Sequence, residues 1–247
     1  MNRPRVVTAE LLDHLAPTDP AARRSRRDLV RLHRAMGTRA IVSSGWRSLL
    51  SPPRAGSPLR ILELGAGDGS LLLGVARALA PGWPPVQLSL LDRQNIVTAG
   101  TLAGFAELGW SAQVQVDDVL GWADRPQDEA PGTPAPRWDL ITTTLFLHHF
   151  DAGDLDRVLC AAAARCDRFF ACEPSRSWLA VAGSHLVGAI GANSVTREDA
   201  VLSVRAGFRS GEISALWPRS GHQWQTRDCA AGLFSHCFSA QRRGAAA

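Results

Sequence analysis

One stretch decides the fold: Arg60-Ile61-Leu62-Glu63-Leu64-Gly65-Ala66-Gly67-Asp68-Gly69-Ser70-Leu71-Leu72-Leu73. It begins with a short apolar run of strand character, continues with three glycines at every second position, and ends in an apolar helical run. This order of strand, glycine turn and helix start is the nucleotide-binding layout of a doubly wound α/β sheet. Glycine lets the backbone approach a ligand, because it lacks Cβ and adopts positive φ. The helix start points unpaired N–H groups at the same place.

The spacing of the glycines distinguishes two kinds of ligand. A dinucleotide fingerprint reads G-x-G-x-x-G and binds a pyrophosphate, whereas here the third glycine comes one residue early and Ser70 takes its place. Glu63, two residues before Gly65, would repel a pyrophosphate and favours a ligand with an ammonium or sulfonium group. The pattern E-x-G-x-G-x-G resembles motif I of the class I S-adenosylmethionine (SAM)-dependent methyltransferases. The resemblance implies SAM as the cofactor, with contacts from Glu63, Gly65, Ala66 and Gly67.

Acidic residues end the next two expected strands, where a doubly wound sheet binds its ligands. Asp92 follows the glycines by about 20 residues and can accept both ribose hydroxyls. Asp117 and Asp118 end the third strand, and either could accept a hydrogen bond from the adenine amino group; by resemblance Asp118 is the better match. Each acid could instead be a loop residue or a helix cap. The resemblance implies further cofactor contacts beside these strand ends and at the fourth: Arg93, Val119, Thr142 and Thr143.

Two adjacent histidines follow the fourth expected strand, in Leu147-His148-His149-Phe150. The sequence L-H-H resembles a motif of the ubiquinone- and menaquinone-biosynthesis methyltransferases and related small-molecule enzymes, in which the first histidine recurs. His148 is therefore the first candidate for a catalytic base and His149 the second. Adjacent helical residues point about 100° apart, so we expect one at most to face a pocket. Glu173, at the end of the fifth strand, could orient a substrate hydroxyl or a histidine; the alternative is that His148 only packs against the sheet.

Strands that alternate with helices predict a parallel sheet with right-handed crossovers. The pattern predicts strands at 60–64, 86–91, 112–116, 138–143 and 168–172. It predicts helices at 68–80, 94–108 and 151–164. A β-hairpin at 222–241 would supply the antiparallel final strand of a methyltransferase sheet. We expect a Rossmann-like doubly wound α/β fold of about seven strands over residues 58–247, preceded by an N-terminal helical cap and linker over residues 1–57.

The composition excludes several kinds of site. The 247 residues carry a net charge of +4 but no lysine, so neither a side-chain Schiff base nor a Walker-type lysine is available. The five cysteines form no C-x-x-C pair and no zinc spacing with histidine, so no metal is predicted. The odd cysteine count without a signal peptide favours a reducing cytoplasm. No apolar stretch reaches the length of a membrane span.

An arginine cluster in an expected helix at 21–36 has two interpretations. It could attract an acidic substrate or nucleic-acid phosphates, or it could form the solvated face of an amphipathic helix, the usual role of such charge runs. The N/D-P-P-Y/F motif of amino-methylating DNA and RNA enzymes is missing, because Thr142-Thr143-Thr144-Leu145 occupies its place. We therefore expect a small-molecule substrate, no nucleic-acid partner, and a monomer or homodimer.

These observations together predict a SAM-dependent methyltransferase of secondary metabolism. The expected acceptor is a hydroxyl or an activated carbon of a small aromatic, quinone-like or polyketide metabolite. Apolar segments around Trp46, Trp178 and Trp217 would suit such a substrate, or they could be ordinary core. Two other functions stay open at this point: a nicotinamide-dependent oxidoreductase and a non-catalytic binding protein with the same fold.

Overall fold

A computed structural model describes residues 4–50, 58–126, 137–218 and 224–244. Within these residues, seven strands form one sheet: β1 (Leu59–Leu64), β2 (Val86–Asp92), β3 (Trp110–Val116), β4 (Leu140–Thr144), β5 (Arg168–Pro174), β6 (Trp224–Ala231) and β7 (Ser235–Arg242). Their order across the sheet is β3-β2-β1-β4-β5-β7-β6. The first five strands are parallel, and β7 pairs antiparallel with both β5 and β6. The predicted doubly wound sheet with an antiparallel last strand is thereby confirmed.

Helices connect and flank the strands: α1 (Leu11–His14), α2 (Pro20–Met36), α3 (Thr38–Leu49), α4 (Ser70–Leu79), α5 (Ala99–Ala106), α6 (Val119–Asp124), α7 (Ala152–Arg165), α8 (Trp178–Leu186), α9 (Ser194–Ala206) and α10 (Glu212–Leu216). Short 3₁₀ turns cover Ala80–Gly82, Leu147–His149 and Val187–Ile190. No described helix is both long and apolar enough to cross a membrane.

Both faces of the sheet are buried, which explains why the central strands are almost continuously apolar. Helices α3, α4 and α5 pack on one face around Ile61, Leu88 and Phe170, and α6, α7 and α10 pack on the other around Leu62, Ile141 and Phe169. Burial of each such side chain contributes about 1.5–3 kcal/mol to folding. The two packed layers hold the carboxyl ends of the strands at one edge, where the functional site lies.

The first three helices divide between the two roles of cap and core. Helix α2 begins at the N-cap Asp19 and ends at Gly37, which has φ 68° and joins it directly to α3. Helix α3 packs against the sheet, and its Trp46 is fully buried. Of the six arginines on α2, five are exposed and one, Arg26, is partly buried, so the solvated-face interpretation fits the helix. The predicted boundary near residue 57 lies outside the described residues.

Some element boundaries differ from the predictions. Helix α5 begins at Ala99 rather than Gln94, because Thr98 caps it by accepting from Thr101 N at 3.1 Å. Strand β4 begins at Leu140, because the carboxylate of Asp139 accepts a hydrogen bond from Arg60 N at 2.8 Å just before the pairing starts. Helix α6 follows β3 at a place where the sequence analysis predicts no helix, and residues 127–136 lie outside the described part.

Candidate active site

A cavity of about 830 Å³ lies at the carboxyl ends of the parallel strands. This is the edge at which doubly wound sheets bind ligands, and the volume is in the range of small-molecule sites. The strand-end turns form its floor, and α1, α2, α8 and α9 form its walls and cover. Helices α1 and α2 therefore lie over the cavity, and the division of the chain into an N-terminal cap and a methyltransferase domain stays a prediction.

The glycine turn after β1 has the backbone that only glycine adopts without strain. Gly65, Gly67 and Gly69 have φ angles of 73°, 56° and 72°. A Cβ on Gly65 would come within 2.3 Å of the Phe146 ring, whereas one on Gly67 would meet nothing within 4 Å. The turn is closed by Gly65 N and Ala66 N, which donate to Leu91 O at 2.9 and 3.0 Å. Gly65, Ala66 and Gly67 all line the cavity.

Glu63 lines the same cavity from the end of β1. Its side chain is buried, with the residue 4 % exposed, and Oε2 has no hydrogen-bond partner in the described protein. Burial, together with the nearby charge of Glu173, raises the pKa of Glu63 to about 8. A buried carboxyl oxygen without a hydrogen-bond partner fits a ligand that brings a positive charge.

Asp92 and Arg93 line the cavity at the end of β2. The Asp92 carboxylate accepts hydrogen bonds from Gly67 N and Gln94 N, both at 2.8 Å. These bonds fix the carboxylate beside the glycine turn and leave lone pairs on both oxygens for a ligand. Arg93 is turned towards the cover: it donates to Asp13 O at 2.9 Å and pairs with the Asp13 carboxylate at 3.3 Å.

The residues at the end of β3 also line the cavity, but their side chains have partners within the chain. Asp118 caps α6, with Oδ1 accepting from Leu120 N at 2.8 Å, so the helix-cap alternative is correct for that oxygen. Asp117 pairs with Arg125 at 2.6 Å. Val119 is 5 % exposed and presents an apolar surface to the cavity.

Thr142 and Thr143 do not line the cavity. Both are fully buried within the sheet, and Thr142 Oγ1 accepts a hydrogen bond from Trp46 Nε1 at 3.2 Å. The cavity wall at this strand is formed by Thr144 and Leu145 instead, because β4 runs one residue further than predicted. Leu145 has a φ of 55°, a conformation that costs free energy in a residue with Cβ and that clusters at functional sites.

Glu173 holds the histidine turn after β4. It is fully buried, and its Oε1 accepts from Phe146 N at 3.1 Å and Leu147 N at 2.9 Å. Its Oε2 pairs with His148 Nδ1 at 2.8 Å. Glu173 therefore orients His148, one of the two roles that the sequence leaves open, and it lies behind the histidine rather than in the cavity wall.

His148 lies between two carboxylates. Its Nδ1 faces Glu173, and its Nε2 faces Glu10 Oε1 at 3.3 Å. Burial alone would lower the pKa of His148, but the hydrogen bonds and negative charges of Glu10 and Glu173 raise it to about 9. His148 lines the cavity, so the packing-only alternative does not describe it fully.

His149 also lines the cavity, which is contrary to the expectation that one histidine at most faces it. The two residues lie in a 3₁₀ turn, and their rings contact each other in a tilted arrangement, with 4.3 Å between centroids and 32° between the ring planes. His149 Nδ1 pairs with Asp13 at 3.2 Å. Glu10, His148 and His149 bring ligand-type atoms within 4.8 Å of one another, a group that is able to hold a cation. That no metal is required stays a prediction from the sequence.

The contribution of Glu10 and Asp13 could not be found in the sequence. Both lie in or beside the short helix α1, which carries no recognisable motif, and their histidine partners are more than 130 residues away along the chain. Trp46 and Trp217, by contrast, are core residues of the sheet layers, and Trp178 is 77 % exposed. None of the three lines the cavity. Its apolar wall is formed by other residues, among them Leu29, Met36, Leu186, Val187 and Phe234.

No protein-family model and no curated protein matches the sequence. Solved structures do share the fold. The plantazolicin methyltransferase BpumL in complex with SAH superimposes with a TM-score of 0.60 at 13 % identity, over 92 % of each chain. An O-methyltransferase family protein from Burkholderia thailandensis gives a TM-score of 0.57 at 16 % identity, over 90 % of this chain and 60 % of that one.

A third neighbour is magnesium protoporphyrin IX methyltransferase (ChlM) from Synechocystis PCC 6803 with bound SAH. It gives a TM-score of 0.51 at 13 % identity, over 94 % of this chain and 91 % of that one. At these identities the likeness establishes the fold. The chain has the fold of the class I SAM-dependent methyltransferases.

Proposed function

We propose that this protein is a SAM-dependent methyltransferase that acts on a small molecule. The observation that carries the proposal is the buried carboxyl group of Glu63, whose Oε2 has no hydrogen-bond partner in the described protein, beside a glycine turn with open space above Gly67. Glu63 provides the negative charge for the methionine ammonium, and the turn leaves room for the methionine moiety. Asp92 receives the ribose hydroxyls on its remaining lone pairs, and Val119 packs against the adenine ring. Arg93, Asp117 and Asp118 complete the proposed cofactor contacts.

Two neighbouring structures with the same fold contain SAH, the product of SAM. Those structures support the choice of cofactor, and Glu63 supports it independently from this chain's own residues. In place of Thr142 and Thr143, Thr144 and Leu145 are the proposed contacts, because they line the cavity at the end of β4. The monomeric or dimeric state and the cytoplasmic location stay predictions.

Bound SAM supplies an activated methyl group, so the protein has to align the acceptor and exclude water. His148 is the proposed base for a hydroxyl acceptor, oriented by Glu173 through Nδ1, while His149 contributes to the same wall. A phenol has a pKa near 10, so proton transfer to an ordinary histidine would cost about 5 kcal/mol. Transfer to a histidine with a pKa of about 9 costs about 1–2 kcal/mol.

The stronger base has a drawback at neutral pH. At pH 7, only about one hundredth of a group with this pKa is neutral and able to accept a proton. We therefore expect turnover to rise with pH until about pH 9. The acceptor is proposed to be an aromatic, quinone-like or polyketide metabolite, because apolar residues such as Leu29, Met36 and Phe234 line the cavity together with the polar His148.

The test is a methyl-transfer screen with trideuteromethyl SAM and a panel of phenols, quinols and aromatic polyketides, read by mass spectrometry. An acceptor of this class is expected to gain one trideuteromethyl group, and His148→Asn is expected to reduce the rate at least a hundredfold. Transfer to none of the panel, with SAH bound, would favour a non-catalytic binding protein. Binding of NADH without SAH would favour an oxidoreductase.

A further inference from the structure

The N-terminal strap, residues 5–14, crosses the site and is fastened to it by polar contacts. Arg5 Nε donates to Ala206 O at 2.7 Å, and Arg5 also donates to His148 O at 3.1 Å. The backbone N–H groups of Leu11 and Leu12 donate to the Asp199 carboxylate at 2.7 and 3.0 Å. The described helix of the strap, α1, has no buried residue. The polar contacts therefore fix the position of the strap.

Glu10 is the strap residue that reaches the catalytic histidine. Its side chain is 13 % exposed, and its Oε1 lies 3.3 Å from His148 Nε2. Ser203 on α9 donates a hydrogen bond to the same oxygen and so fixes the carboxylate. The Nε2 atom is the one that faces the cavity, because Nδ1 is occupied by Glu173 at 2.8 Å. Glu10 thus sits where an acceptor must approach the base.

We propose that Glu10 is a positioning residue of the acceptor site, which pairs with the protonated form of His148 and gives way to the acceptor hydroxyl at Nε2. The inference rests on the proposed function, since it concerns the same base and the same acceptor. It assigns a role to the strap, for which the sequence provides no motif. It also places the acceptor hydroxyl between α9 and the turn after β4.

The reaction balances with these groups alone. The acceptor hydroxyl donates to the lone pair of neutral His148 Nε2, its oxygen forms a bond to the methyl carbon, and the bond from that carbon to sulfur breaks. The electron pair stays on sulfur, which changes from a sulfonium to a neutral thioether. The hydroxyl proton ends on Nε2. When the product leaves, the imidazolium N–H donates to Glu10, whose Oε1 lies 3.3 Å from Nε2.

Other charged groups act on His148 or on its two carboxylates from the surrounding elements. They come from the strap, β1, the turn after β4, and α9: Arg5, Asp13, Glu63, His149 and Asp199. Glu10 differs from these because its carboxylate is in direct contact with Nε2. Its removal therefore has the largest expected effect among the residues of the strap.

The test is an NMR titration of the histidine side chains in protein labelled with ¹⁵N-histidine, without any acceptor. His148→Asn identifies the resonances of His148. In Glu10→Gln, the pKa of His148 is expected to fall by about 1 or more, because an opposite charge in contact is lost. The matched control is Glu107→Gln, the same change at an exposed residue after α5, and it should leave the titration as in the wild type.

A second variant covers the case in which Glu10→Gln does not fold. Ser203→Ala removes the hydroxyl that fixes Glu10, and it should lower the pKa of His148 in the same direction by a smaller amount. A His148 titration that is unchanged in the folded variants would overturn the proposal. Once an acceptor is known, Glu10→Gln should also move the rising limb of the pH–rate profile to lower pH, and Glu10→Asp should give an intermediate profile. If Glu10 had only a structural role, these substitutions would lower Tm and leave the rising limb in place.

SAH binding, measured on the same samples, separates the two proposals. A wild-type protein that does not bind SAH contradicts the proposed function, whatever the histidine titration shows. A protein that binds SAH but whose His148 titration does not respond to Glu10→Gln contradicts only the role of Glu10.

Discussion

Replacement of Glu63 by glutamine tests the electrostatics of the cofactor site. The unfolded chain holds this group at a pKa near 4.5, whereas burial raises the pKa of Glu63 to about 8 in the folded protein. An acid with a raised pKa favours the folded state below the lower value, and this advantage is lost as the pH rises through the higher one. Glutamine has the shape of the neutral acid and does not ionise, so Glu63→Gln removes this dependence.

The size of the effect follows from the two pKa values. One pKa unit corresponds to about 1.36 kcal/mol. At pH 7, ionisation of Glu63 therefore lowers the free energy of the unfolded chain by about 3 kcal/mol, whereas it lowers that of the folded protein by almost nothing. Above pH 8 the difference grows to about 5 kcal/mol. Glu63→Gln is therefore expected to stabilise the unliganded protein by about 3 kcal/mol at pH 7, which corresponds to roughly 6–12 °C in Tm.

The same substitution should weaken cofactor binding. Loss of a charged hydrogen bond costs about 1.5–3 kcal/mol, or roughly tenfold to a hundredfold in Kd for SAH. In the wild type, SAH affinity should rise between pH 6 and pH 8, because the ligand's ammonium requires the ionised carboxylate; in Glu63→Gln it should be flat across this range.

Thermal unfolding between pH 4 and pH 9, with and without SAH, measures both effects. Glu107→Gln, an exposed change of the same kind, provides the control for net charge. A Glu63→Gln protein that melts lower than the wild type at pH 7–8, or a stability difference that does not depend on pH, would refute the reasoning.

Three further substitutions test separate parts of the site. Gly65→Ala should abolish SAH binding and lower Tm, because its Cβ would lie 2.3 Å from the Phe146 ring. The control is Gly109→Ala: Gly109 has a similar φ of 75°, but a Cβ there would meet nothing within 4 Å, so this variant should retain binding. Calorimetry measures SAH binding in both variants. Asp92→Ala should weaken SAH at least tenfold in the same assay, because both the proposed ribose contacts and the bond to the glycine turn are lost. Glu173→Gln should reduce the rate of methyl transfer at least a hundredfold and shift its pH profile to lower pH, since His148 loses the carboxylate at Nδ1. Unaltered rates would contradict the orienting role of Glu173.

The glycine turn and the acids at the strand ends could be predicted because they are local. Gly65 and Gly67 need positive φ, and Glu63 and Asp92 end strands whose apolar runs are unambiguous, so position in the sequence gives position in the site. The parallel order of the strands follows from their alternation with helices. These residues line one cavity, and their contacts with a cofactor stay predictions.

Other parts depend on contacts between distant segments. The resemblance implies cofactor contacts from Thr142 and Thr143, but β4 continues to Thr144, and a shift of one or two residues determines which side chains reach the cavity. Glu10 meets His148 only after the strap has docked on α9, and nothing in the sequence around residue 10 indicates that docking. The tryptophans were ambiguous because apolar residues serve cores and substrate pockets equally well.

The most direct test of the central claim is a calorimetric titration of the purified protein with SAH and, separately, with NADH. If Glu63 and the glycine turn form a SAM site, SAH binds with one-to-one stoichiometry and protons are released below pH 8 as Glu63 ionises, while NADH produces no binding heat. Binding of NADH and no binding of SAH would contradict the account.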